Sequence, residues 1–427
     1  MLKKLTIRNF KAIEDLTIEF TPLTVLIGEN SCGKSTVLQA LDFLSSTAFR
    51  EIPDYLNSEN WNFFDIKSQF NDGSKKPIEF ITVYSLMNGT EINEIEWKIQ
   101  IDYTGNAWSV IEEAKNLTKN VILYSPKFID SKPMMAGQRD AYAGHPNAYA
   151  RAVPDIYYQA SFLKYFKWVD EDPVLSVLKD YLGNTMNFSL LSPERIREGK
   201  RIPYTENIGA KGEALAYYIH TVLRNNKEQL SKIVSDITGF DLDIQTIDHA
   251  NKVELSILNR TENESIQVDS LHISDGLLRI IAFASLSIEP SRASIKSNNN
   301  DHVAEQKKEY LEKDFIPMEG LFLFDEIENG INPFVTEKII CLLRDILLKH
   351  KKQVIVTTHS PVILNDFDPK EIVFLWKDKN GSVHSKKFFD TEEMRELLEA
   401  LNPGEVWINL QKDEILQKLS SKKEYIQ

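Results

Sequence analysis

The tightest constraint on this chain lies near its start. An apolar run, Leu23 to Ile27 (LTVLI), leads into GENSCGKS, Gly28 to Ser35, and then into TVLQALDFL. The central stretch fits G-x-x-x-x-G-K-[ST] at every fixed position. The run before it reads as a buried strand, and the stretch after it as an amphipathic helix. A strand, a glycine-rich turn and a helix in that order place the fold in the α/β class. Glycines let the backbone curl so that successive N–H groups converge on one oxyanion. The helix adds its positive N-terminus. Gly28, Glu29, Asn30, Ser31, Cys32, Gly33, Lys34, Ser35 and Thr36 are therefore the candidate phosphate-binding residues. In this pattern Lys34 reaches the β- and γ-phosphates of a nucleotide, and the Ser35 hydroxyl meets magnesium. A glycine-rich surface turn is the plain alternative, and it leaves the flanking strand and helix unexplained.

Three later segments carry further chemistry. In LFLFDEIENGINP, Leu321 to Pro333, four apolar residues form a buried strand that ends in Asp325 and Glu326. Side chains alternate along a strand, but the chain is leaving the sheet here, so both carboxylates can face one cavity. Asp325 is placed to hold the magnesium shell, and Glu326 to take a proton from an attacking water. Glu328 reads as a solvated or structural carboxylate. In QVIVTTHSP, Gln353 to Pro361, a second buried strand is followed by Thr357, Thr358, His359 and Ser360. Ligands bind at that C-terminal edge in parallel α/β sheets, so His359 is a candidate to meet the γ-phosphate or the attacking water. A satisfied loop histidine is the alternative for that residue on its own. In HISDGLLRIIAFASL, His272 to Leu286, Ser274, Asp275 and Gly276 precede an apolar helix. Ser274 either caps that helix or binds an anion at its N-terminus.

The rest of the chain sets bounds. Its 427 residues suffice for one large core or two to three domains. A net charge of −13 gives no general attraction for nucleic acid, although a local basic groove is compatible with it. The two cysteines, Cys32 and Cys341, suggest neither a disulfide nor a metal site and fit a reducing interior. The opening MLKKLTIRNF lacks the apolar stretch of a signal peptide. No run approaches a membrane span. The expected location is the cytoplasm, with no membrane partner.

Along the chain, Leu5 to Phe20 reads as two strands around a turn, and Pro77 to Val110 as antiparallel sheet, which covers the nucleotide from one side if it belongs to the first domain. Residues 45–75 read as polar and aromatic, with a turn at NDGSKKP. IYYQASFLKYFKWV and DPVLSVLKDYLG read as helices, and GEALAYYIHTVLRNNKEQLSKIVSDITG as one longer helical stretch ending near Gly239. FDLDIQTIDH and KVELSILNR return to strand. Residues 291–315 carry five basic and five acidic residues with few apolar ones, and read as a solvated insertion. The tail beyond Asn409 reads as one short helix. Sustained heptads, and with them a long coiled-coil arm, are missing.

Taken together, these motifs resemble the ATP-binding-cassette class of ATPase, in the soluble branch that holds RecF, the Rad50 and structural-maintenance-of-chromosomes heads, and the overcoming-lysogenisation-defect proteins. The resemblance covers residues 1–125 and 265–385, and is nearest to stand-alone prokaryotic ATPases that serve beside a separate effector in antiphage defence. It makes Gly28 to Ser35 the Walker A loop and Asp325–Glu326 the end of Walker B. It makes Ile273 to Gly276 the signature loop, Asn332 part of the D-loop and His359 the switch histidine. Gln138 is the candidate Q-loop glutamine. It implies an α/β P-loop head with a mixed central sheet, an antiparallel N-terminal sheet and a helical sub-domain. The expected divisions are 1–125 (Walker A and antiparallel sheet), 126–264 (a mainly helical lobe), 265–390 (signature, Walker B and switch histidine, interrupted by 291–315) and 391–427 (a helical tail). The cofactors implied are ATP and magnesium. The implied assembly is a homodimer, or a higher assembly of dimers, in which Ser274 and Gly276 contact the γ-phosphate held by the other subunit.

Three positions depart from the class. The signature reads SDG rather than the transporter-type SGG, Ile327 stands where proline is common, and Asn332 stands where Asp or His is common. Residues 391–427 are too few for a Toprim nuclease domain, so the resemblance implies a chain that does not cut DNA itself. The implied function is an ATP-driven dimerisation switch acting on a nuclease or toxin. The alternative is a RecF-type repair ATPase that clamps or loads on DNA. A transporter ATPase is disfavoured by the long interruptions, the TIRNFKAI opening and the SDG loop.

Overall fold

A computed structural model describes residues 1–70, 75–103, 105, 108–124, 127–129, 132–134, 159–165, 172–188, 191–199, 207–249, 252–288 and 318–420. Three sheets organise them. The central one has six strands, in the spatial order Thr185–Phe188, Leu321–Phe324, Gln353–Thr357, Leu23–Gly28, Ile372–Lys377 and Val383–Lys387. The first five run parallel and the last is antiparallel to its neighbour, so the sheet is mixed. The strands Leu321–Phe324, Gln353–Thr357 and Leu23–Gly28 are buried along their full length. That is why they read as continuous apolar runs instead of alternating ones.

An eight-stranded antiparallel sheet holds the N-terminal strands Leu2–Phe10 and Ile13–Glu19 together with Ile78–Asn88, Glu91–Tyr103 and Trp108–Asn116. Trp108–Asn116 alternates buried and half-buried residues without a break, the period of a sheet with one face on the core. The phosphate-loop helix, Lys34–Thr47, lies between the two sheets. Its Phe43 stacks on Phe10 at 5.9 Å and meets Phe80 at 6.0 Å, which joins the helix to the antiparallel sheet. Each fully buried ring of this kind contributes about 1.5–3 kcal/mol.

The remaining elements differ in places from the sequence reading. Thr185–Phe188 lies inside the stretch expected to be a mainly helical lobe, yet it is the edge strand of the central sheet. Its Phe188 stacks on Phe324 at 5.1 Å, a contact between residues too far apart in sequence to show in a local pattern. The stretch read as one long helix is two, Leu215–Thr221 and Lys227–Thr238, separated by a tighter turn at Arg224–Asn226. Two asparagines compete with the helix backbone there. The second helix does end at Gly239, which takes the left-handed conformation that suits a helix C-terminus. The polar-aromatic stretch after the phosphate-loop helix contains two short helices, Ile52–Ser58 and Phe63–Ile66. Asp241–Asp248, Val253–Arg260 and Ser265–Asp269 form a separate three-stranded antiparallel sheet that leads into the signature segment. Lys412–Ser420 is helical. Both Cys32 and Cys341 are free thiols. Gln138 and the 291–315 insertion lie outside the described residues. Among the described residues no helix is long and apolar enough to cross a membrane.

Candidate functional site

The site forms at the C-terminal edge of three adjacent parallel strands. Register places its parts: Phe324 pairs with Val356, and Thr357 pairs with Leu26. The residues just beyond these pairs are Asp325, Thr358 and the phosphate loop. Gly28 closes the Leu23–Gly28 strand against Leu375, and an added Cβ there would lie 2.1 Å from the Leu375 carbonyl oxygen. Only glycine fits at that step. The loop then turns through a left-handed Ser31 (φ 60°) into Gly33 and the helix.

That helix starts with no side-chain cap and no acidic residue in its first turn. Its leading N–H groups are thus left for an anion, which suits a bound phosphate. Lys34 is buried, and its ammonium donates to the Gly28 carbonyl at 2.9 Å and to the Glu29 carbonyl at 3.0 Å. Burial pushes its pKa down, and Cys32, Asp325 and Glu326 oppose that shift. Burial also pushes the Cys32 thiol up despite the nearby Lys34, which keeps it protonated and unreactive. At the loop's rim, Glu29 pairs with Lys412 of the C-terminal helix at 3.0 Å.

Thr357 organises the acidic turn. Its hydroxyl donates to Asp325 Oδ1 at 2.5 Å and accepts the Glu326 N–H at 2.8 Å. Glu326 itself stands at φ 47°, a left-handed conformation that costs a non-glycine residue roughly 1 kcal/mol or more. Its side chain is exposed, so the turn lifts this carboxylate out of the sheet edge. The turn is closed by Ile327 N–H on the Thr357 carbonyl at 3.2 Å. Ile327 is buried, which accounts for an apolar residue at that position. Glu328 reaches the next strand's loop. It accepts the Thr358 hydroxyl at 2.8 Å and the His359 N–H at 2.6 Å. The His359 imidazole is pushed below its ordinary value by burial and by Lys34, against the pull of Glu328, Glu326 and Asp325. Lys34, Asp325, Glu326 and His359 are thus within electrostatic reach of one another.

Ser274, Asp275 and Gly276 have their own contacts. Ser274 caps the helix Asp275–Leu286 by accepting the Leu277 N–H at 3.4 Å, and is exposed. Asp275 pairs with Arg197 at 2.5 Å, and Arg197 also donates to the Ile273 carbonyl at 2.7 Å. No described hydrogen bond or ion pair joins residues 274–276 to residues 28–36. The helix docks instead on the turn after Glu326. A Cβ on Gly276 would lie 2.4 Å from the Gly330 carbonyl oxygen, and Arg279 donates to the Asn329 carbonyl. Burial lowers the Arg279 pKa, with Asp275 and Glu326 opposing. Asn332 caps the next turn by accepting the Phe334 N–H at 3.0 Å.

The geometry adds Arg279 and Arg197 to the residues named from sequence, and gives Thr357 and Glu328 their partners. A lone arginine inside the apolar run LLRIIAFA is a visible signal for Arg279. Nothing in the local sequence marks Arg197.

Two family models match the chain: "AAA ATPase domain" over residues 1–139, and "AAA domain, putative AbiEii toxin, Type IV TA system" over residues 172–365. The first contains the phosphate loop. The second contains the signature segment, the acidic turn and His359. The chain is a P-loop ATPase, matched by AAA-domain models on both sides of its site. This ATPase is similar to the DNA replication and repair protein RecF of Oenococcus oeni, 26% identical over 60% of this chain and 65% of that protein. RecF of Listeria monocytogenes is 25% identical over 72% of this chain and 83% of its own length. An OLD nuclease of Thermus scotoductus is 34% identical over 16% of this chain and only 14% of its own length. The match therefore spans just under two thirds of the Oenococcus relative and a small part of the nuclease. The SMC head domain from Thermotoga maritima overlays 90% of this chain and 98% of its own, with 14% identity and a TM-score of 0.40.

Proposed function

We propose that this ATPase is an ATP-driven dimerisation switch that governs a separate effector protein, a nuclease or toxin in antiphage defence. One observation carries the reading. Lys34, Asp325, Glu326 and His359 share one site, whereas Ser274 is exposed and makes no described hydrogen bond or ion pair to residues 28–36. A second copy that presents Ser274 and Gly276 to the γ-phosphate would complete it.

In this reading residues 28–36 wrap the triphosphate, and Lys34 exchanges its two loop carbonyls for phosphate oxygens. The Ser35 hydroxyl and Asp325 would hold magnesium, which when bound neutralises charge on the β- and γ-phosphate oxygens. Glu326, lifted into solvent, takes the proton of the attacking water. His359, kept neutral by its surroundings, orients that water or the γ-phosphate. Binding of ATP closes the dimer and hydrolysis opens it. The head draws on residues 1–125 and 265–390 and on the edge strand Thr185–Phe188, with the rest of 126–264 as the lobe between them.

The test is the mass of Glu326→Gln in light scattering, with and without ATP and magnesium. Doubling with ATP supports the switch, and an ATP-bound monomer would sink it. The likeness to RecF supports a second reading, clamping on DNA by the same closed dimer. ATP-dependent anisotropy of labelled duplex DNA with Glu326→Gln would favour that reading. A net charge of −13 supplies no general attraction for it.

A further inference from the structure

The acidic turn carries a third carboxylate that the proposed chemistry leaves unused. Glu328 sits two residues past Glu326, and its two oxygens take separate donors on the neighbouring loop. One oxygen accepts the His359 backbone N–H at 2.6 Å, and the other accepts the Thr358 hydroxyl at 2.8 Å. Hydrogen bonds to an ionised acceptor are the stronger kind. The same loop is already laced to the turn one residue earlier, through Thr357 to Asp325, Glu326 and Ile327. The turn itself is closed by Asn329 N–H on the Glu326 carbonyl and Ile331 N–H on the Glu328 carbonyl. Three consecutive residues of the histidine loop are therefore tied to the acidic turn, and Glu328 makes two of those ties. Without it, Thr357 alone would tie the loop to the acidic turn; the Thr358 N–H would still reach the Leu26 carbonyl, but no bond to that turn would fix His359.

We infer that Glu328 is a positioning residue for ATP hydrolysis: it clamps the His359 loop to the acidic turn so that His359 and Glu326 meet the γ-phosphate and its attacking water together. The inference rests on the ATPase reading of this site and deepens it. In this role Glu328 acts through His359 and its loop.

The test compares single-turnover hydrolysis and ATP affinity in four proteins. Glu328→Ala loses both ties, and its kcat falls about 10- to 100-fold, the scale of a misplaced catalytic group. Its ATP affinity stays within about twofold, because the clamp acts on the reaction and not on binding. Glu328→Gln keeps an acceptor for the His359 N–H, and Thr358 can turn its hydroxyl to accept from the amide, so this variant recovers most of the rate. In a His359→Ala background, Glu328→Ala costs less than about twofold more, because the group it positions is already gone. A wild-type kcat in Glu328→Ala overturns the inference, as does a full multiplicative loss in the His359→Ala background. If Glu328→Ala does not fold, Thr358→Val carries the test. It removes the Thr358–Glu328 tie and the acceptor of the Ser360 N–H, so it is read beside Ser360→Pro, which removes only that N–H; kcat should fall in Thr358→Val beyond Ser360→Pro at unchanged affinity, and no excess fall overturns the inference. Lys34→Ala, assayed alongside, separates the two levels. Hydrolysis that survives Lys34→Ala sinks the site itself, whereas a normal Glu328→Ala beside an inactive Lys34→Ala sinks only the clamp.

Discussion

In the proposed mechanism Lys34 serves binding and Glu326 chemistry, and single substitutions should show the division. Lys34→Ala removes the charge-assisted clamp on the phosphates, so ATP affinity should fall by about tenfold or more in calorimetric titration. Near-native affinity would contradict the assignment of the loop. Glu326→Gln keeps shape and hydrogen bonding but removes the base. It should still bind ATP while hydrolysis slows by about 100-fold or more, within the range of general-base catalysis. His359 adds a pH signature. Its folded-state value lies below the ordinary 6.5, chiefly through burial and then through Lys34. The unfolded chain therefore takes up this proton first as pH falls through 6.5, and the contribution to stability present above that value is lost in acid. Denaturant unfolding at about pH 7.5 and about pH 5.5 checks this. His359→Asn should lose less stability between the two than the parent, and equal losses would contradict the shift.

The helix Asp275–Leu286 is the element that links the signature segment to the acidic turn. Gly276 lets the Gly330 carbonyl approach it, and Arg279 holds the Asn329 carbonyl on the same turn. Placing a methyl group 2.4 Å from that oxygen forces one of the two elements to move. Gly276→Ala should therefore cost about 1–3 kcal/mol in denaturant unfolding, the usual scale of an overpacked contact. It should also lower ATP turnover while Lys34-dependent binding persists. A variant with parental stability and turnover would show that the contact is loose.

For the whole molecule, the proposed dimer makes each site depend on two chains. Ser274→Arg should fold and bind ATP through its own phosphate loop, but its bulk would enter the partner's γ-phosphate pocket and block closure. Lys34→Ala should fail for the opposite reason. Mixing the two leaves one composite site per heterodimer with an intact Lys34 and an intact Ser274, and ATPase activity should return in the mixture. If Ser274→Arg alone turns over ATP at the parental rate, Ser274 is a helix cap and nothing more.

Residues 23–36 announced themselves because the interactions that shape a phosphate loop are local. Strand, curl and helix start follow one another without a break, and each has its own residue signature. The buried strands ending at Phe324 and Thr357 were legible for a similar reason, since burial on both faces leaves an unbroken apolar run. Arrangement was not legible. Thr185–Phe188 has no distinctive pattern, and becomes a strand of the central sheet only because Leu321–Phe324 offers it a free edge. Glu328 read as a solvated or structural carboxylate with no partner to name, because its partners lie 30 and 31 residues away, across a parallel register. Arg279 meets Asn329 across 50 residues, and Gly276 meets Gly330 only through the packing of a helix on a turn. Local bonding writes itself into neighbouring residues. Contacts set by how strands and helices stack leave no such trace, and the positioning of Glu326 and His359 belongs to that second kind.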